Sequence, residues 1–318
     1  MSALPPKADM CSATGHVCFG PIADGFSAKT YVMATCVDEK AAVLSIRRKP
    51  NRITATNSWH WTNIMNLTLE QYERLNPRCE VVHNGVRMTF ATPTTFTKWR
   101  VDGIYTKEPC TIDWIETFQA QDLLFDVGAN VGMYSIWAAA TRRCRVTSFE
   151  PEAGNYALLN RNILANGLQD LITAYCLGLS DRSGACYLNM SDMRLGGSNH
   201  AVGEPLDYKH EPMNVTFKQG CVAFTLDQLV TSYKLPVPDH IKIDVDGIEP
   251  NIIAGGADVL RNTKVRSLLI EINLNLEDHR QMVEKLTGLG FKVDHQQVER
   301  AVRKEGPFKG VAEHVFRR

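Results

Sequence analysis

The 318 residues hold no apolar run of the roughly 18 residues that a membrane-spanning helix needs, so no integral membrane segment is expected. The N-terminus also lacks the basic flank and apolar stretch of an export signal. Charge of one sign is missing too, since Lys plus Arg equals Asp plus Glu at 35 each. A neutral balance gives no long-range attraction to a phosphate backbone. There is neither a basic patch with interleaved aromatics nor an Asn/Asp-Pro-Pro-Tyr/Phe run to hold a flipped base, so nucleic acid is not an expected partner. Closely paired cysteines are absent as well: the nine stand at 11, 18, 36, 79, 110, 144, 176, 186 and 221. An odd, scattered set argues for reduced cytoplasmic thiols and against a structural zinc site, with Cys11 and Cys18 too isolated to form a metal knuckle.

What is present is an ordinary soluble composition, 44% hydrophobic and 22% charged, in a 35.6 kDa chain long enough for a large α/β core with an appendage. Residues 1–40 show neither helical nor strand periodicity and are punctuated by Pro5, Pro6, Gly15, Gly20, Pro21 and Gly25, the pattern of a disordered tail. The stretch from Lys7 to Thr14 resembles the front of bacterial reading frames begun at a mistaken start codon, with Met33 or Met65 as the alternative starts. Residues 41–118 form a lead-in. There Val81–His83 and Val86–Phe90 flank an Asn84-Gly85 turn and predict a hairpin, followed by a helix over 111–118. Exposed aromatics in this lead-in would permit a homodimer.

From 119 to 318 strand and helix signals alternate. Strands are expected at Leu123–Val127, Arg145–Phe149, Ile172–Cys176, Ile241–Val245, Ser267–Ile272, Phe291–Val293 and 311–316. Helices are expected over 134–140, 153–164, 250–260 and 279–286, with His279 as a helix-start residue. Such alternation predicts a mostly parallel sheet covered on both faces, with its ligand site at the carboxyl ends of the strands. The glycine-rich interval 182–238 predicts a hairpin, Val215–Phe217 and Val222–Phe224 flanking Gly220, that could cover a substrate.

Two clusters carry chemistry. Asp126-Val127-Gly128-Ala129-Asn130-Val131-Gly132 closes a strand and opens a helix, where glycines let a ligand approach the backbone. Glu150 ends the next strand, about twenty residues on, where a carboxylate can accept both hydroxyl protons of a ribose. A tight strand-to-helix turn needs glycine in any α/β protein, and these features suit NAD as well as S-adenosylmethionine. The spacing is not G-x-G-x-x-G, however, and Asp126 would face the NAD pyrophosphate with like charge while suiting a cationic methionine moiety. Asp181 follows the third strand, as a ligand for an adenine amino group or as a surface turn residue beside Arg182.

The second cluster is Lys242-Ile243-Asp244-Val245-Asp246-Gly247-Ile248-Glu249. Lys242 and Asp244 share a strand face, and so many charges at one strand end need partners or a ligand. Asp244 is read as the active-site floor, Lys242 as holding a neighbouring carboxylate, and Asp246 and Glu249 as caps of the next helix. A divalent ion is the competing account of these carboxylates. Glu271 is a charge inside an apolar strand, either paired internally or facing substrate. His200, in the glycine-rich run from Leu195, is a further candidate proton acceptor or simply a loop residue.

Taken in order, the glycine loop, Phe149-Glu150-Pro151, Asn155, Asn162, Asn166, Leu226-Asp227, the 241–247 run, Gly255-Gly256-Ala257 and Glu271-Ile272-Asn273 resemble the FkbM family of methyltransferases over about 125–293. Arg100, Glu108 and Pro109 are similar to the family's lead-in. The resemblance implies a Rossmann-like class I methyltransferase fold with a seven-stranded sheet and S-adenosylmethionine as cofactor. It implies O-methylation of a small molecule, sugar or glycolipid, with Asp126, Gly128, Asn130, Gly132, Glu150 and Asp181 toward the cofactor. Asp244, Lys242, Glu271 and His200 fall toward the reacting hydroxyl, whose proton a carboxylate or His accepts as it attacks the sulfonium methyl. The alternatives are an NAD-dependent oxidoreductase and a noncatalytic cofactor-binding interaction module.

Overall fold

A computed structural model describes residues 67–306 and 308–318. The expectations for residues 1–40, for Cys11 and Cys18, and for starts at Met33 or Met65 lie outside the described residues. The chain separates into a unit ending at Tyr72 and a unit from Glu73 to Arg318. A short exposed helix, α1 (Leu69–Arg74), spans that boundary.

The second unit opens with β1 (Arg78–His83), β2 (Val86–Ala91), α2 (Thr95–Asp102) and α3 (Pro109–Ile115). Next come β3 (Leu123–Val127), α4 (Met133–Arg142), β4 (Arg145–Phe149), α5 (Ala153–Ala165) and β5 (Ile172–Tyr175). A strand-rich stretch follows with β6 (Gly178–Leu179), β7 (Gly184–Met190), β8 (His200–Val202) and β9 (Phe217–Phe224), leading through α6 (Leu226–Thr231) to β10 (His240–Ile243). The remainder is α7 (Glu249–Ala254), α8 (Ala257–Arg261), β11 (Ser267–Asn273), α9 (Glu277–Gly288), β12 (Lys292–Val293), α10 (His295–Ala301) and β13 (Val311–Arg317).

The main sheet has seven strands in the order β12-β13-β11-β10-β3-β4-β5. Five neighbours, β11 to β5, run parallel, and β13 lies antiparallel between β11 and β12. Every residue of β3 and β10 is buried, as expected where both sheet faces are covered. Along β3 the side chains alternate between two apolar cores. Leu124 joins Phe90, Trp114, Ile136 and Leu159 on one face, while Leu123, Phe125 and Val127 join Leu226, Ile252, Leu260 and Leu286 on the other.

The Asn84-Gly85 hairpin forms as expected, with φ of 49° and 81° at its two central residues. Two asparagines, Asn162 on α5 and Asn166 at its C-cap, tie it to the main core. Asn162 accepts from Ala91 N at 2.8 Å and donates to Val131 O at 2.7 Å; Asn166 accepts from Thr89 N and donates to Thr89 O, both at 2.7 Å. Asn162 is fully buried, so Asn162→Ala strands one N–H and one C=O, each worth about 1–3 kcal/mol. The expected loss is about 2–6 kcal/mol in chemical denaturation at unchanged m-value; a loss within experimental error would mean that the hairpin is held by its apolar contacts alone.

Three expectations are corrected. The helix over 250–260 is two helices, because Gly255 and Gly256 interrupt it: a Cβ on Gly255 would lie 2.3 Å from Ser180 O and one on Gly256 2.8 Å from Leu226 Cδ1. The hairpin around Gly220 does not exist. Phe217–Phe224 is one continuous strand pairing antiparallel with β7, Gly220 opposite Tyr187, within a second sheet of order β6-β9-β7-β8. Strand β10 ends at Ile243, so Asp244 and Val245 already belong to the loop beyond it. The sequence reading had no helix at α2, α6 or α10; α2 is rich in β-branched and aromatic residues and is fixed by a Thr94/Thr97 capping box.

Candidate active site

The chain builds β3, β4 and β5 outward in one direction and then returns to place β10 on the other side of β3. The crossover order therefore reverses between β3 and β10, and a crevice opens at their carboxyl ends. The glycine loop leaves β3 there. Gly128, at φ +79°, packs so closely on the loop that follows β10 that a Cβ would sit 2.0 Å from Asp244 O, so no other residue fits without moving the Asp244 backbone.

A cavity of about 350 Å³ fills this crevice. Gly128, Asn130, Glu150, His200, Asp244 and Glu271 all line it, joined by Asn155, Asp246, Leu179 and Phe308. Asp126, Gly132, Asp181 and Lys242 do not. Asp126 is buried on the α4 side of the sheet, accepting from Ser135 Oγ at 2.5 Å, with its Oδ1 unpartnered. Gly132 starts α4, where Leu159 leaves no room for a Cβ. Asp181 lies apart, beside Ser180 and Arg182, in a second hollow of about 530 Å³. Lys242 is beneath the floor, 1% exposed, and borders only a small side pocket.

Glu150 braces the loop it was expected to accompany. Its Oε2 accepts from Asn130 N at 2.7 Å and its Oε1 from Glu152 N at 2.8 Å. Burial pushes its carboxyl up to about 7 against the pull of those two N–H groups. The 196–200 segment is fastened over the loop. Asn130 and Asn155 both donate to Gly197 O, at 2.7 and 3.1 Å, and Asp246 accepts from Asn199 N at 2.7 Å. His200 thereby sits in the cavity wall with both ring nitrogens buried and unpartnered, and burial lowers its pKa.

The floor is a charge network. Lys242 donates to Asp244 at 2.8 Å, as expected, and lies over the Tyr134 ring. Burial alone would raise the Asp244 carboxyl, but Lys242, Lys107 and Arg303 outweigh it and hold that group well below the usual carboxylate range. Burial and the adjacent Asp244 charge push Asp246 up to about 6. Glu271 pairs with Arg303 at 2.7 Å, yet burial and Asp244 raise it well above its ordinary value. Arg303 also binds Glu313 at 2.6 Å, and Lys107 pairs with Glu108 at 2.6 Å. The sequence reading missed Lys107 and Arg303. Both stand in polar stretches with no periodic signal, and only folding brings them to this floor.

Neither Asp246 nor Glu249 caps α7, as had been expected. Asp246 turns to Asn199, and Glu249 accepts from Val245 N and Gly247 N at 3.1–3.3 Å, so it secures the loop before the helix. Nor is His279 a simple helix-start residue: it is buried against Glu249, 3.7 Å away. Among the described residues, the group able to offer three ligand atoms to a metal ion is His210, Asp278 and His279, which does not include the carboxylates of the cavity floor. The His279 Nδ1 accepts from Asn273 N at 3.3 Å, which leaves its Nε2 carrying a proton instead of a free lone pair.

The sequence profile of the methyltransferase FkbM domain matches residues 126–293, more than half of the chain. A curated relative, the hexuronic acid methyltransferase AglP of Haloferax volcanii, is 23% identical over 194 residues, 61% of this chain and 74% of its own. Among solved structures, a precorrin-6y C5,15-methyltransferase from Geobacter metallireducens has a TM-score of 0.39 at 13% identity, covering 72% of this chain and 93% of its own. The TYW2 protein of M. jannaschii, solved with AdoMet, has a TM-score of 0.38 at 12% identity, covering 76% and 86%. Likenesses so loose assign no residue. The profile match is of another order, and by it this chain belongs to the FkbM family of methyltransferases, enzymes whose methyl donor is S-adenosylmethionine.

Proposed function

We propose that the chain O-methylates a sugar hydroxyl, the acceptor class suggested by the hexuronic acid methyltransferase to which it is similar. The observation that carries the site assignment is the acidic crevice at the β3/β10 reversal, with Glu150, Asp244, Asp246 and Glu271 on its wall. A sulfonium and an ammonium are both cations, so these carboxylates suit the donor. Glu150 would take the ribose hydroxyls, Gly128 and Asn130 would lie under the methionine portion, and Leu179 would pack on the base. S-adenosylmethionine supplies an already activated methyl group, so the protein's work is to align the acceptor and receive its proton.

Asp244, held ionised by Lys242, is a weak base; its part is to face the donor's positive charge. Glu271 and His200, both raised or unpaired in the way a proton acceptor requires, are the stronger candidates for that step. Phe96, Trp99 and Phe308 line the same cavity and offer apolar faces to a sugar ring. Incubation with S-adenosylmethionine and a panel of uronic acids, neutral sugars and their glycosides should yield a methyl ether, identified by NMR. Transfer to a nitrogen or carbon acceptor in a parallel panel, with none to hydroxyls, would overturn the reading.

The pH dependence of cofactor binding follows from the raised carboxyls. Asp246 titrates near 6 and Glu150 near 7. As pH rises through those values both become anionic, so S-adenosylmethionine affinity is expected to rise between pH 5 and pH 7.5, by about tenfold. S-adenosylhomocysteine, which lacks the sulfonium charge, should gain less. Parallel calorimetric titrations of the two ligands check this; identical pH slopes would remove the electrostatic role assigned to the carboxylates.

A further inference from the structure

Outside the active cavity, Cys176, Cys186 and Cys221 line a hollow of about 500 Å³ whose wall includes Gln219 and shares only Pro151 with that cavity. All three are free thiols. In the β7/β9 register Cys186 stands directly opposite Cys221. Opposed residues of an antiparallel pair have Cα atoms about 4.5–5.5 Å apart, inside the window of about 4.4–6.8 Å that a disulfide spans. Strand alternation puts Cys186 on the same face as Leu188, which lines the active cavity, so both thiols turn inward and are half-buried. Cys176 is the exposed member.

The pair has a short route to the active site. Gln219, two residues before Cys221 on the same strand face, donates to Pro151 O at 2.6 Å and accepts from Ala153 N at 3.1 Å. It thus clamps the turn that immediately follows Glu150. Cys176 Sγ lies 3.8 Å from the same Pro151 oxygen.

We propose that Cys186 and Cys221 are a reversible thiol–disulfide site for low-molecular-weight disulfides of the glutathione kind, and that its state reaches Glu150 through Gln219 and Pro151. The thiolate of one cysteine attacks a sulfur of the small disulfide, breaking its S–S bond, forming a mixed disulfide and releasing one small thiolate. The second cysteine's thiolate then attacks the protein-bound sulfur, closing the Cys186–Cys221 bond and expelling the second small thiolate. Two protein thiols are oxidised, one small disulfide is reduced to two thiols, and each released thiolate takes up a proton surrendered by a cysteine. Burial and the neighbouring Cys186 push the Cys221 thiol up to about 12, so exchange is slow at neutral pH and quickens as pH rises. Cys176, exposed and opposite no other cysteine, stops at the mixed disulfide.

The test is incubation of the full chain with oxidised glutathione at mildly alkaline pH, followed by peptide mapping and titration with S-adenosylmethionine. The expected product is a peptide joining Cys186 to Cys221 and lacking two hydrogens. It should be reversed by dithiothreitol and be absent from Cys186→Ser. Its formation should weaken cofactor affinity about fivefold in the wild type and leave Cys186→Ser unchanged. Glutathione adducts on Cys176 with no 186–221 link would overturn the site, and a link without an affinity change would overturn its coupling. The affinity arm rests on Glu150 binding the cofactor, whereas the mapping arm does not. A wild-type affinity that Glu150→Gln leaves intact would therefore mark a failure of the active-site reading, distinct from a failure to form the link.

Discussion

Glu150→Gln is expected to weaken S-adenosylmethionine binding by at least about a hundredfold while the chain stays folded. Each carboxylate oxygen of Glu150 already accepts one backbone N–H, from Asn130 and from Glu152. An amide cannot do both: in either orientation its NH2 group meets a backbone N–H, so one bond becomes a donor–donor clash and the glycine loop loses its brace. The substitution also removes the charge that would accept the ribose hydroxyls. Hydrogen bonds to charged groups contribute about 1.5–3 kcal/mol each, so losing one brace bond and the ribose bond on the side of the NH2 group gives about 3–6 kcal/mol, which is at least a hundredfold. Calorimetry on a variant whose circular dichroism matches the wild type decides the matter. An unchanged affinity would restrict Glu150 to supporting the turn.

Lys242→Met should be the most destabilising single change at the site, costing about 3–5 kcal/mol near neutral pH. The methionine fills much the same volume but removes the cation shared by the buried Asp126 carboxyl and the partly exposed Asp244 carboxylate, and the lysine is 1% exposed. The pH dependence separates this from a packing defect. In the wild type the Asp244 carboxyl is held below its unfolded value, so its contribution is present above about pH 4 and is lost only as pH falls through the depressed folded value. In the variant the Lys242 share of that contribution is gone, leaving only Lys107 and Arg303 to hold Asp244 ionised, and the two carboxyls become neutral more readily when acidified. The gap between wild type and variant should therefore narrow from pH 7 toward pH 4. Denaturation midpoints at the two pH values measure it; a gap independent of pH would mean that volume and not charge is at stake.

Parts of the sequence pattern that carry the family resemblance have a structural part in the fold. Asn162 and Asn166 secure the hairpin, Asp227 accepts from Asp258 N and Val259 N at the start of α8, and Gly255 and Gly256 make room for Ser180 and Leu226. Such residues read as motif from sequence because each satisfies a buried backbone group or a close approach that no other side chain could. A functional role and a backbone-satisfying role leave the same mark on a string of letters.

The sequence by itself determined the central strands and pointed to the strand ends where the candidate cavity opens. Buried parallel strands tend to be nearly continuous in apolar residues, as β3 and β11 are, and a glycine loop with an acid at the next strand end has few uses. It did not determine the small sheet, because Lys218, Gln219 and Gly220 carry no burial signal until β7 pairs with them. Nor could it rank the acids. Asp244 and Glu271 are both carboxylates near apolar strands, yet one is driven down and the other up. What separates them is the closeness of Asp244 to Lys242 and Lys107, against the burial of Glu271 beside the Asp244 charge, and charge interactions depend on separation in space, which only the closed fold sets.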